Sequence, residues 1–328
     1  MRRRRIVGGI ILAVAVGLYL ANASWLAPVP VGTPLVYAQR GIYQRFSHDN
    51  LGERDCTAAR ILPPTNPYLE NTLPSIRAAF DAGASVTSLA IHPTIDGEFA
   101  VFHDWALDCR TNGHGDTRKQ SMSYLKTLDI GYGYTADGGR SFPFRGKGVG
   151  LMPTLHEVLT AFPGKRFIIT FKSNDPSEAD KLVAYLRAHH DPVDEGLWAI
   201  GGDRPIDRLH QLVPQARVSS KKRMKACSIG YFALGWSGRV PDACRHGFIV
   251  VPLNWRWAYW GWPNCFLDRM KRKDVEVMLT GPMGKGAGLP SLSSPAELDA
   301  VPTGFSGLIV TDALEAIGPE ARRRWPKR

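Results

Sequence analysis

Beyond residue 34, short apolar, β-branched runs alternate with segments whose apolar positions recur at helical spacing. LVYA (35–38) predicts a first strand, followed by a long loop carrying Pro63, Pro64 and Pro67. In LENTLPSIRAAFDAG (69–83), Leu73, Ile76, Ala79 and Phe80 share one helical face and Gly83 supplies the stop. SVTSLAIH (85–92) and EFAVFH (98–103) read as strands around a turn at Asp96-Gly97. Residues 105–150 lose the periodicity and are richer in Gly, Tyr and Asp, which predicts an insertion with one short helix near QSMSYLKTL. The alternation resumes with the helix PTLHEVLTAFPG (153–164) and the strands RFIITFK (166–172), LWAIGG (197–202), ARVSS (216–220), FIVVP (248–252), VEVMLT (275–280) and GLIVTD (307–312). Repeated β-then-α units predict a parallel sheet covered by helices. Nine candidate strands are one more than the eight that close a (β/α)8 barrel, and ARVSS is expected to be the spare one.

The N-terminus departs from this pattern. MRRRR precedes an uncharged stretch of 22 residues, IVGGIILAVAVGLYLANASWLA. A run of that length can span a bilayer as a helix, and the arginines before it hold that end in the cytoplasm. The expected organisation is a basic cap and transmembrane anchor (1–27), a linker (28–34), a barrel (35–320) and a basic tail (321–328). A cleaved signal peptide is the alternative, since Ala21-Asn22-Ala23 has the small-x-small form of a cleavage site. Either way the folded part lies outside the cytoplasm, membrane-anchored or secreted.

Charge then changes little. The net charge of +11 is concentrated at the ends, and without the nine basic residues at positions 2–5 and 322–328 the body holds 32 basic against 30 acidic residues. No basic patch interleaved with aromatics remains, so nucleic acid is not an expected partner. The five cysteines contain no CxxC, which argues against a zinc knuckle. In an oxidising compartment they fit two disulfides and a free thiol, with Cys56–Cys109 joining two loops and two of Cys227, Cys244 and Cys265 pairing; buried free thiols are the other reading.

In a barrel of this kind, functional groups gather at the C-terminal ends of the strands. The polar residues expected there are Gln39 and Arg40, then Ser88 and His92 on the same strand face as Ala90, then His103-Asp104, Thr170 with Lys172, and Thr311-Asp312.

AQRG (38–41), LENTLPSIRAAFDAGA (69–84), HPTIDGEFAVFHDWALDCRTNGHG (92–115), PTLHEVL (153–159), FKSND (171–175) and LIVTD (308–312) together resemble the glycerophosphodiester phosphodiesterase family, in its order and spacing. The resemblance runs from about Leu35 to Gly318 and implies a (β/α)8 TIM barrel with a family-type insertion after strand 3. It also implies a divalent cation, Mg²⁺ or Ca²⁺, held by acids, and two histidines acting as general acid and base. His103 stands at one histidine position and Gln39 at the other. Arg40 and Lys172 stand at phosphate-binding positions. The ligand positions carry Ser88, Ala90 and Thr170, so the metal set is not intact; His92 is a possible substitute ligand. The resemblance therefore implies a phosphodiester hydrolase of glycerophospholipid metabolism with an impaired site. The alternative is an inactive module that binds a phospholipid headgroup or a protein partner at a membrane surface.

Two further features stay open. NWRWAYWGWPN (254–264) holds four tryptophans beside the barrel mouth, which fits either an apolar wall near the bilayer or ordinary loop packing. GPMGKGAG (281–288) lacks phosphate-loop spacing and reads as a mouth loop.

Overall fold

The β-branched runs form strands and the periodic segments form helices, as expected. The computed structural model describes residues 2–47, 51–52, 55–194, 196–284 and 289–326. Its strands are β1 (Leu35–Ala38), β2 (Val86–Pro93), β3 (Phe99–Val101), β4 (Arg166–Phe171), β5 (Trp198–Gly201), β6 (Arg217–Ser220), β7 (Phe248–Pro252), β8 (Glu276–Thr280) and β9 (Leu308–Thr311). The helices are α1 (Arg2–Ala21), α2 (Leu73–Asp81), α3 (Met122–Leu125), α4 (Leu155–Ala161), α5 (Ser177–Ala188), α6 (Asp203–Leu212), α7 (Lys221–Leu234), α8 (Asn264–Arg272) and α9 (Leu314–Arg324). Local chemistry sets their ends. Thr72 caps α2 by accepting from the Ser75 N–H, and Thr154 and Glu157 form a reciprocal capping box at α4.

Eight strands form a parallel path in the order β6-β5-β4-β2-β1-β9-β8-β7. The path nearly closes where Val218 N donates to His246 O (2.9 Å) and Phe248 N to Ser219 Oγ (3.0 Å). The spare strand is therefore β3 and not ARVSS, which is β6. The physical reason lies in the Asp96-Gly97 turn. So short a connection can join only antiparallel strands, whereas parallel neighbours need a crossover of a dozen or more residues. β3 accordingly folds back antiparallel on β2, with His92 opposite Ala100.

One buried cluster fills the barrel, drawing Tyr37, Val86, Ile168, Trp198, Phe248, Met278 and Leu308 from seven strands. The alternate residues, Leu89, Ile169, Ile249 and Ile309 among them, pack outward under the helices. Two-residue alternation then places Ser88, Ala90 and His92 inside with Val86, and Thr170 and Lys172 inside with Ile168. Residues 105–150 build a lobe around Leu107, Met122, Leu128 and Phe144, which packs on Tyr43 and Phe46. A Cys56–Cys109 disulfide staples it; Cys227–Cys244 is the second bond and Cys265 is free.

The N-terminal helix is shorter than the apolar run. It ends at Ala21, and Ala23 is buried against the barrel instead of continuing the span. Residues 6–21 would measure about 24 Å as a helix, against a hydrocarbon core of about 30 Å. Among the described residues, no helix is long and apolar enough to cross a membrane. The arrest has a cause in tertiary contacts: Asn22 Nδ2 donates to Leu18 O (2.9 Å) and Trp236 O (2.8 Å), and Arg269 Nη2 donates to Ala21 O (3.0 Å). Residues 285–288 of the 281–288 loop and residues 327–328 of the basic tail lie outside the described residues.

Candidate active site

At the end of β1 the chain turns sharply through two left-handed residues, Arg40 (φ 59°) and Gly41 (φ 82°). Glycine is required at the second, because a Cβ there would lie 2.3 Å from Ser75 Oγ. The turn is held by Arg40 N donating to Ser88 Oγ (3.0 Å) and Gly41 N to Thr87 Oγ1 (2.9 Å). It aims the Arg40 guanidinium at Glu70, Nη1 to Oε1 at 3.3 Å.

Glu70 is shared. Its other oxygen meets Nη1 of Arg110 at 3.1 Å, and Arg110 Nε donates to Asp104 Oδ2 at 2.7 Å. Arg110 is fully buried and also bonds Tyr134 and Thr57. Burial pushes the Glu70 carboxyl upward, but Arg110 and Arg40 outweigh it and hold Glu70 below the usual carboxylate range. Asp104 is likewise held below the usual carboxylate range, burial again being overcome by Arg110 and by His103.

From Asp104 a second chain of contacts runs into the pocket. Asp104 Oδ1 lies 2.7 Å from His103 Nδ1, and His103 Nε2 lies 3.1 Å from Lys172 Nζ. Burial pushes the imidazole down to about 4, helped by the Arg40 and Lys172 charges, so the ring is neutral near pH 7. With Nδ1–H directed at the carboxylate, Nε2 accepts from the Lys172 ammonium. Burial, followed by the Arg40 charge, brings Lys172 down to about 8. Among the described contacts Lys172 meets this neutral ring and not a carboxylate, so the cluster holds three cations, Arg40, Arg110 and Lys172, against Glu70 and Asp104. The structure puts Glu70 beside Arg40, while Asp312 accepts from Ser293 Oγ (3.3 Å).

The other expected positions lie on the same inner face. Gln39 Nε2 donates to Ser291 Oγ at 2.7 Å, Ser88 accepts the Arg40 N–H, and Ala90 stands opposite Thr170 across β2 and β4. His92 is buried with Nε2 unpartnered, and burial, followed by the Lys172 charge, takes it down to about 3. Asn71, also buried, accepts from Ala90 N through Oδ1 (3.3 Å), while its Nδ2 has no partner.

These residues do not fit a divalent cation. Hard cations need carboxylate or carbonyl oxygens in number, yet the inner face presents one engaged hydroxyl, a methyl, a threonine, an orphaned amide N–H and two cationic side chains. Among the described residues, no three His, Cys, Asp or Glu side chains are grouped to hold a metal. The donor-rich arrangement suits an anion instead.

Sequence reasoning missed Glu70, Asn71 and Arg110 as site residues. All three stood inside the quoted motifs, Glu70-Asn71 before α2 and Arg110 after His103-Asp104. Their roles depend on contacts between loops that periodicity does not report.

Fold and site together define a parallel α/β barrel with an anion-receptive, ion-paired centre at the strand C-termini. Residues 60–201 match the Glycerophosphoryl diester phosphodiesterase family. A glycerophosphodiester phosphodiesterase of Bacillus subtilis is 32% identical over 157 residues, 44% of this chain and 52% of that protein. The chain thus spans about half the length of the curated relatives it matches. Among solved structures, a glycerophosphodiester phosphodiesterase from Agrobacterium tumefaciens aligns with a TM-score of 0.57 at 19% identity, over 88% of this chain and 99% of that one. A phosphodiesterase from Oleispira antarctica, solved with the product sn-glycerol-3-phosphate, aligns at 0.52 with 16% identity, over 88% and 96%.

Proposed function

We propose that this chain is a glycerophosphodiester phosphodiesterase-like barrel that binds a phosphodiester or phosphomonoester headgroup and hydrolyses it poorly or not at all. The observation that carries the reading is the inner face of β2 and β4. Ser88, Ala90 and Thr170 occupy it without a carboxylate, while Arg40 and Lys172 supply positive charge beside it. A phosphodiester gains negative charge on the way to hydrolysis, and without a metal that gain is met by side chains alone. The Oleispira neighbour's product, a glycerol phosphate, is the kind of anion this pocket suits.

Arg40 and Lys172 hold the non-bridging oxygens, and Gln39, whose amide N–H groups bond Ser291 and Leu289, lines the pocket beside them. Among the described residues, His103 is the group placed to exchange a proton, through Nε2. Gln39, at the other histidine position, does not titrate. Losing one general acid or base removes about 10²–10⁴ in rate.

The setting is extracytoplasmic. Two disulfides support an oxidising compartment. The α1 helix supports a membrane attachment: Ile6, Val7, Ile10, Ile11 and Leu12 lie exposed around it, and a helix apolar on all sides belongs in an apolar surround.

The test compares glycerophosphocholine hydrolysis, with Mg²⁺ or Ca²⁺, between the natural chain and a Gln39→His, Ser88→Glu, Ala90→Asp, Thr170→Glu variant. The variant is expected to exceed the natural chain by at least about 10². Equal turnover by the two would overturn the reading.

A further inference from the structure

Five exposed tryptophans lie on segments that meet near the end of α1. Trp257 is 76% and Trp25 69% exposed, and Trp236, Trp255 and Trp260 are each exposed as well. Hydrogen bonds tie these residues into a continuous band that begins at the end of α1. Asn22 Nδ2 donates to Trp236 O, and Arg269 Nη1 bridges Asn22 Oδ1 (2.9 Å) and Gly235 O (3.0 Å). Asn264 N donates to Ser24 Oγ (2.8 Å), fixing the turn that carries Trp25. Trp260 Nε1 donates to Phe232 O (2.9 Å), and the rings of Trp255 and Trp257 stack at 6.0 Å beyond it. Asn254 then joins the neighbouring mouth loop through Met283, donating to its carbonyl (3.0 Å) and accepting its N–H (2.8 Å).

We infer that this band is a bilayer-docking surface, which seats the barrel against the membrane that receives α1 and turns its mouth toward the lipid headgroups. The inference rests on the membrane reading of α1 and deepens it. A flexible tether would leave the barrel free to tumble, whereas the bonds from Arg269, Asn264 and Trp236 hold the end of α1 rigidly to α8 and to the turn after α7. Wherever α1 goes, these tryptophans follow at its base. Tryptophan suits that depth, because its apolar ring and N–H favour the boundary between hydrocarbon and water. The exposed stripe along α7 has matching chemistry: Lys222 and Lys225 lie toward its start, with Ile229, Ala233 and Trp236 following on the same face. Basic groups beside an apolar stripe fit anionic headgroups. Trp255, Trp257 and Met283 follow the C-terminal ends of β7 and β8, the same end of the barrel that carries Arg40 and Lys172.

The full chain is reconstituted into phosphatidylcholine–phosphatidylglycerol vesicles with and without brominated acyl chains. Flotation and intrinsic fluorescence are compared with a Trp25→Phe, Trp236→Phe, Trp257→Phe, Trp260→Phe variant and with the single Trp257→Phe variant, whose ring is 76% exposed, bonds Asn254 O and stacks on Trp255. Expected is co-flotation of all three proteins, with bromolipid quenching of the natural chain reduced at least about twofold in the fourfold variant. The single variant is expected to show a smaller loss in the same direction. Co-flotation with quenching unchanged in both variants overturns the docking surface while leaving α1 in the membrane. Failure of the natural chain to float overturns both. Quenching replaced by a concentration-dependent dimer that shields the tryptophans from bromolipid also overturns it, in favour of a second copy of the chain.

Discussion

At the residue scale the site depends on how one positive charge is left over. Glu70 and Asp104 are committed to Arg110 and Arg40, and Lys172 rests against an imidazole kept neutral by burial. Anion affinity should therefore follow the Lys172 proton. With Lys172 lowered to about 8, binding of glycerol 3-phosphate is expected to weaken as pH rises through that value. Calorimetric titration between pH 6.5 and 9.5 would measure it, and Lys172→Arg should flatten the profile because a guanidinium stays charged throughout. An unchanged profile in that variant would assign the pH dependence elsewhere. His103 has the opposite consequence for stability. Its folded value lies below the ordinary one, so the unfolded chain binds more protons between about 6.5 and about 4. Stability from this residue is present above that window and is lost as pH falls through it. His103→Gln should make the acid side of a melting-temperature profile shallower.

At the element scale, the loop before α2 and the loop after β3 are joined by the buried Glu70–Arg110 pair. Removing one partner of a buried pair strands the other charge, at a cost of about 3–5 kcal/mol. Glu70→Gln should lower the denaturant midpoint accordingly, and a change near zero would mean that Asp104 alone satisfies Arg110. This pair also marks where the sequence stopped being legible. Strand and helix positions followed from periodicity, and the strand-end residues Arg40, His103 and Lys172 came together as their alternation required. Glu70 and Arg110 sit in loops, where alternation carries no information. The spare strand was misjudged for a related reason: ARVSS is short and weakly patterned, while EFAVFH looks more like a barrel strand than its tight turn allows. The early stop of α1 was hidden too, because Asn22 breaks the helix only by virtue of partners more than two hundred residues away.

For the whole molecule, the lobe of residues 105–150 is tied to the loop after β1 by Cys56–Cys109, which closes a separation of 53 residues; Cys227–Cys244 closes 17. Loop entropy makes the first bond the larger contributor, and replacing a native disulfide typically costs about 2–5 kcal/mol. A Cys56→Ala, Cys109→Ala variant should lose more stability than Cys227→Ala, Cys244→Ala in denaturant titrations; the reverse order would show that strain or residual structure, not loop length, dominates. The barrel, its lobe and the band at the base of α1 are proposed to serve one end: an anion pocket at the strand C-termini, set against a membrane. Its central claim is recognition of a phosphodiester without efficient cleavage. The most direct measurement is ³¹P NMR of glycerophosphocholine mixed with the full chain, with Mg²⁺ or Ca²⁺ and without. The account predicts a diester resonance that broadens or shifts on binding and then persists. Its conversion to glycerol 3-phosphate at the rate of the fourfold acid-and-histidine variant would contradict it.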